Sequence, residues 1–301
     1  MNNLILLILC FIAGMLLRRS RRMPDNAPAT LNSFIIHVSL PALTLLYIHQ
    51  LKLSGDVLLT GLMAWLVFGL SAGFFWLIGR WLALPRATVG ALMLVGGLGN
   101  TSFFGLPMVD AFYGKEGLST AIIADQLGSF FALSILGITV AGIYSSGRPT
   151  AAEIVKRIAL FPPFISLIVA LLLIPVEYAP WFSELLKRLG DTLAPLALVS
   201  VGLQLRLGHL AGNMRNLAIG LGFKLLLAPL VIYLLYVQLL GAQGQAIQVT
   251  LFEAAMPPMI TAAIIASEHD LDPELSTLMV AVGLIVSFVT LSAWWWLLRA
   301  V

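Results

Sequence analysis

The chain has 301 residues, 60% of them hydrophobic and 10% charged, with a mean hydropathy of +0.99. Soluble domains carry about 25% charged residues, so this composition excludes a water-soluble globule and makes the lipid bilayer the solvent. The net charge of +3 comes from basic residues spread between apolar segments, and the single Cys10 stands alone; a nucleic-acid-binding face, an intrachain disulfide and a thiolate metal site are all excluded.

Crossing the hydrocarbon takes about 20 apolar residues. Ten such segments follow one another: 2–17, 31–49, 57–79, 87–113, 117–144, 158–176, 185–205, 216–240, 244–267 and 274–298. The first has no basic residue ahead of it and Arg18, Arg19, Arg21 and Arg22 directly behind it. That pattern predicts a retained span with its N-terminus outside, not a cleaved signal. The fourth is interrupted by GGLGNTSFFGLP, Gly96 to Pro107, and the ninth by EAAMPP, Glu253 to Pro258. The connections are short. The longest, residues 145–157, divides the chain into halves, 1–148 and 149–301.

Threading ten spans with the N-terminus outside leaves eleven basic residues in cytoplasmic connections and five in outer ones, with Lys224 inside a span. This excess predicts both termini outside the cytoplasm. The halves also resemble each other. PALTLLYIHQLKL, from Pro41, aligns without gaps with PLALVSVGLQLRL, from Pro195, matching Gln50 to Gln204 and Leu53 to Leu207. Pro107 of the fourth span falls opposite Pro257 of the ninth. Five spans per half is an odd number, so the second half enters the membrane inverted. Inverted repeats are a transporter architecture, with the site at the midplane between them.

Proline removes a backbone donor and frees the carbonyl four residues back: that of Phe103 for Pro107, of Glu253 for Pro257 and of Ala254 for Pro258. In hydrocarbon, such groups must be buried in protein or line a wet cavity. Two broken spans at matching places in inverted halves are therefore expected to cross and offer their half-helix ends to a ligand. The candidate substrate shell is Asn100, Thr101, Ser102, Gly105 and Pro107 from the first break, with Met256, Pro257 and Pro258 from the second. His37 and Asp191 each lie four residues before their repeat's proline, Pro41 and Pro195, which adds His37, Pro41 and Pro195 on the substrate-side groove; Asp191 alternatively pairs at the interface with Arg188. Charged residues in a span are costly and need a reason. Glu253 coordinates a cation, carries a proton or braces the break. Asp125 and Gln126 join it or form an interhelical hydrogen bond. Lys224 attracts an anion or pairs with Asp125 or Glu253.

GNTSFFGLP, followed later by EAAMPP and an apolar final span, resembles the auxin efflux carrier family over the full chain. The resemblance implies an all-α membrane protein of ten transmembrane helices in two inverted five-helix repeats, with crossed broken helices like those of bile acid symporters and sodium/proton antiporters. It implies a scaffold from spans 1, 2, 6 and 7, a transport domain from spans 3–5 and 8–10, and elevator-type alternating access. The long hydrophilic centre of plant members is absent, which favours a bacterial-type carrier in the inner membrane for small carboxylates such as malate or malonate, or an auxin-like acid. The expected partners are that organic anion, the bilayer and a second copy in a homodimer. No cofactor is expected, and sodium or proton coupling stays open. No HExxH, Gly-x-Ser-x-Gly or phosphate-loop pattern occurs, so an enzyme is not expected; the alternative is a membrane channel or small-molecule sensor.

Overall fold

The computed structural model describes residues 2–20, 23–24, 26–48, 55–145, 156, 159–204 and 213–301. The repeat match at residues 49–53 and 205–207 and most of the connection at 145–157 lie outside the described residues. The described residues are helical throughout and carry no strand, only one isolated β-bridge. Five helices are long and apolar enough to cross a membrane: α2 (Ala27–Ile48), α3 (Gly55–Trp81), α6 (Lys115–Tyr144), α10 (Met214–Leu239) and α13 (Pro273–Leu298). The remaining helices are α1 (Asn2–Arg19), α4 (Arg86–Gly97), α5 (Leu106–Tyr113), α7 (Pro162–Leu172), α8 (Pro180–Gly190), α9 (Leu193–Gln204), α11 (Gln245–Ala254) and α12 (Ile260–Glu268).

Two compact units emerge. The first comprises Met1–Ser54, Ser102–Ile122 and Lys156–Leu205. Here α1 crosses α9 at two facing glycines. A methyl on Gly14 would strike the Val199 carbonyl, and one on Gly202 the Phe11 carbonyl, so only glycine permits this backbone approach. α2 packs on α7 and α8, and Gly190 admits the side chain of Leu43. The seventh span expected at 185–205 is divided: one helix ends at Gly190 and the next begins at Leu193. Asp191 sits in that turn, held by Lys115 at 2.9 Å and Lys187 at 3.2 Å, while Arg188 pairs with Glu184 instead.

The second unit comprises Gly55–Thr101, Ile123–Val155 and Arg206–Val301. α3 packs along α4, where Gly96 and Gly97 make room for Phe75, Phe68 and Ser71. α6 and α10 are wound partly as π-helix, at Ala124–Phe130 and Leu133–Gly137 in α6 and at Phe223–Leu227 and Leu234–Leu239 in α10. Such winding shifts the hydrogen-bond ladder by one residue and leaves carbonyls to be satisfied from outside. Neighbouring tryptophans do so: Trp65 donates to the Leu127 carbonyl at 3.1 Å and Trp294 to that of Leu225 at 2.9 Å. Thr60 and Thr250 share a buried hydroxyl hydrogen bond of 2.7 Å between α3 and α11.

Candidate functional site: a crossing of two interrupted helices

α4 ends at Gly97, and Leu98 turns extended, with φ −116° and ψ 126°. α11 ends at Ala254, and Pro257 and Pro258 stop its ladder because neither has an N–H to give. The two extended segments then pair with each other in antiparallel fashion. Gly99 bridges Pro258, Asn100 N donates to the Pro257 carbonyl at 2.8 Å, and Met259 N donates to the Leu98 carbonyl at 2.9 Å. The chain resumes as a π turn at Thr101–Gly105 on one side and as α12 from Ile260 on the other.

The first break therefore falls at Leu98–Asn100, seven residues before Pro107. Pro107 lies inside a continuous helical stretch, in which the π winding at Thr101–Gly105 runs directly into α5; its ring removes one donor from that ladder without ending the helix. The residue that pairs with Pro257 across the crossing is Asn100, not Pro107, and the glycines before Asn100 mark the interruption.

Around the crossing lie four ionisable or amide side chains, all buried: Glu253 at 0% exposure, Asn100 and Lys224 at 1%, and Asp125 at 4%. Thr101 donates its hydroxyl to Asp125 Oδ1 at 2.6 Å, tying the first break to the π segment of α6. Lys224, in the π segment of α10, donates to the Ala254 carbonyl at 2.9 Å. That is the carbonyl Pro258 leaves free, and an ammonium at the negative end of a helix is well placed. Gly99 provides the space: a methyl there would stand 3.2 Å from Lys224 Nζ. Lys224 makes its hydrogen bond to backbone and no ion pair with Glu253 within 4 Å among the described residues. Both carboxylate oxygens of Glu253, and the side-chain amide nitrogen of Asn100, have no hydrogen-bond partner among the described residues. A buried polar group left unpaired costs about 1–3 kcal/mol, more when charged, which makes these atoms the candidate ligand contacts of the crossing.

Asn100, Thr101, Glu253, Met256, Pro257, Pro258, Lys224, Asp125 and Gln126 all belong to the second unit, and all are buried. Ser102, Gly105 and Pro107 belong to the first unit, as do His37, Pro41 and Pro195. His37 is exposed, with its ring Nδ1 2.8 Å from the Ser33 carbonyl oxygen. Four contributors escaped the sequence reading. Gly99 acts as the cradle for Lys224. Leu98 and Met259 act through their backbone alone. Gly283, in the middle of α13, admits the ring of Pro258, since a methyl there would lie 2.7 Å from Pro258 Cδ. The glycine in an otherwise bulky final helix was the visible signal for the last. Among the described residues, no group of three or more His, Cys, Asp or Glu is arranged to hold a metal ion.

Apolar helices of spanning length and, within the second unit, a crossing of interrupted helices with buried charges define a multi-pass membrane protein of the transporter class. Residues 1–295 match the family described as membrane transport protein, and the chain belongs to that family, the auxin efflux carriers included. It is similar to an uncharacterized transporter of Methanothermobacter thermautotrophicus, 28% identical over 290 residues that cover 94% of this chain and 93% of that protein. It is also similar to an uncharacterized transporter of Methanocaldococcus jannaschii, 27% identical over 308 residues, covering 99% and 98% respectively.

Proposed function

We propose that the protein is a secondary transporter that carries a small organic anion, a carboxylate of the malate or malonate kind, across the plasma membrane by elevator-type alternating access. In this reading ten spans form two inverted five-helix repeats, both termini face outward, and the unit that contains the crossing moves with its ligand. The observation that carries the proposal is the Asn100 side-chain amide, an unpaired donor buried beside a backbone crossing and in the same unit as the Lys224 ammonium. A carboxylate supplies the acceptor oxygens such a donor needs, and a positive charge nearby offsets part of the cost of taking an anion out of water. Thr101, Met256, Pro257 and Pro258 complete the shell from the same two segments.

The test is uptake of radiolabelled malonate and malate by proteoliposomes containing the purified protein. Saturable uptake, inhibited by the other unlabelled carboxylates, is expected. Uptake that grows linearly with concentration without saturating would point to a channel and overturn the carrier reading.

A further inference from the structure

We propose that the crossing exchanges a proton on Glu253 and does not bind sodium, because the Lys224 ammonium already occupies the place a cation would take. The inference rests on the transporter reading for its role in a cycle, but the oxygen inventory behind it stands on the structure alone.

A hard monovalent cation leaves water only where several oxygens replace its hydration shell. At the carbonyl end of α11 those oxygens are already engaged. Leu251 and Phe252 accept from Ala255 N, Glu253 O accepts from Met256 N, and Ala254 O accepts from Lys224. Across the crossing, the Leu98 and Pro257 carbonyls accept from Met259 N and Asn100 N, and Asp125 Oδ1 accepts from the Thr101 hydroxyl. Of the carboxylates at the crossing, Glu253 is the one with both oxygens buried and without a hydrogen-bond partner among the described residues. Two oxygens of one carboxylate do not make a coordination shell. One of them is enough for a proton.

The charges agree. Two charged groups act on Glu253: Asp125 from α6 and Lys224 from α10. Of the other elements packed on α11, α3 carries Asp56 and Arg80 only at its ends, and α13 carries Glu274 only in its first turn. With both carboxylates ionised and the lysine charged, the buried group is one negative charge in excess. An unbalanced buried charge is costly. Adding one proton to a Glu253 oxygen makes the group neutral. Asp125 already has a hydroxyl donor, so Glu253 is the carboxylate that gains most. In the cycle, Glu253 takes a proton from one aqueous side and releases it to the other; only an O–H bond forms and breaks.

The experiment has two independent arms. In the first, the unfolding midpoint of the purified wild-type protein in detergent is measured in sodium chloride against choline chloride at equal ionic strength, and against pH between about 4 and 9. No sodium-specific shift is expected, together with a pH dependence that Glu253→Gln flattens. A saturable sodium-specific rise in the wild type, or a Glu253→Gln protein with the unaltered pH profile, overturns the proposal. In the second arm, malonate uptake by proteoliposomes is driven by an imposed pH gradient or an imposed sodium gradient. At least a several-fold stimulation by the pH gradient alone is expected, and stimulation by sodium overturns the proposal. If the wild type moves no carboxylate under either gradient, the transporter reading fails for those substrates, whereas the first arm still decides between proton and sodium. Should Glu253→Gln not fold, the wild-type sodium titration decides by itself.

Discussion

Gly283 sits in the middle of α13, and replacing it with alanine pits two effects of opposite sign against each other. Alanine is favoured over glycine in a helix interior by about 0.8–1.0 kcal/mol. Against this, the added methyl would lie 2.7 Å from Pro258 Cδ, 3.3 Å from Pro258 Cγ and 3.0 Å from Leu221 Cδ2. Carbon atoms prefer about 3.5–4.0 Å. Leu221 can change rotamer, but the Pro258 ring is fixed to its backbone, and that backbone is held by the bridge to Gly99. Relief therefore requires the crossing segment to move. Overpacking of this kind costs about 1–3 kcal/mol, so Gly283→Ala is expected to destabilise by up to about 2 kcal/mol in spite of the helix preference. Gly73→Ala in α3 is the control: its added methyl would meet nothing within 4 Å, so the same helix preference should make it neutral or stabilising. The assay is reversible unfolding in mixed micelles, with carboxylate flux in proteoliposomes as the functional readout. Gly283→Ala should be less stable than Gly73→Ala by the overpacking cost of about 1–3 kcal/mol and should lose most of its flux. If Gly283→Ala is as stable as the control and transports at the wild-type rate, the crossing is not fixed by contact with α13 and the reasoning is wrong.

Other substitutions probe the remaining contacts. Thr101→Val removes the hydroxyl that donates to Asp125 and is expected to cost about 1–3 kcal/mol, whereas Thr101→Ser should keep most of the stability; equal midpoints for the two would show the bond to be unimportant. Gly14→Ala or Gly202→Ala pushes a methyl into a facing backbone, so each should lower the unfolding midpoint by at least as much as Gly283→Ala, and a neutral result would mean that α1 and α9 do not approach as described. Asn100→Ala should fold with near-wild-type stability, because its amide nitrogen has no partner to lose among the described residues, yet should weaken carboxylate uptake at least tenfold; wild-type uptake would remove Asn100 from the ligand shell. Single cysteines placed at residues 2 and 301, in a background without Cys10, should both react with an impermeant maleimide on intact cells, and labelling at one end alone would refute the outward placement of both termini.

The sequence by itself determined the solvent, the helical class and the presence of two interruptions, because each follows from local chemistry. Apolar runs of spanning length need backbone groups satisfied within the segment, and helices do that. Pro257 and Pro258 cannot continue a helix whatever surrounds them. The family was legible for a related reason: the motifs around both breaks are short, contiguous stretches. What the tertiary structure decided is where the freed groups find partners, which is a long-range choice. Pro107 looked like the first breaker, but the chain runs through it as helix, from the π winding at Thr101–Gly105 into α5, and the interruption lies at Leu98–Asn100, where the extended chain can pair with Pro257 and Met259. The seventh apolar run looked continuous, yet it parts at Asp191, where Lys115 and Lys187 offer the carboxylate a better environment than a helix interior. Lys224 could have met Asp125 or Glu253; the cradle at Gly99 and the open carbonyl of Ala254 set its position instead. No spacing in the chain encodes that contact, because residues 30 positions apart are brought together only when α10 packs against the end of α11.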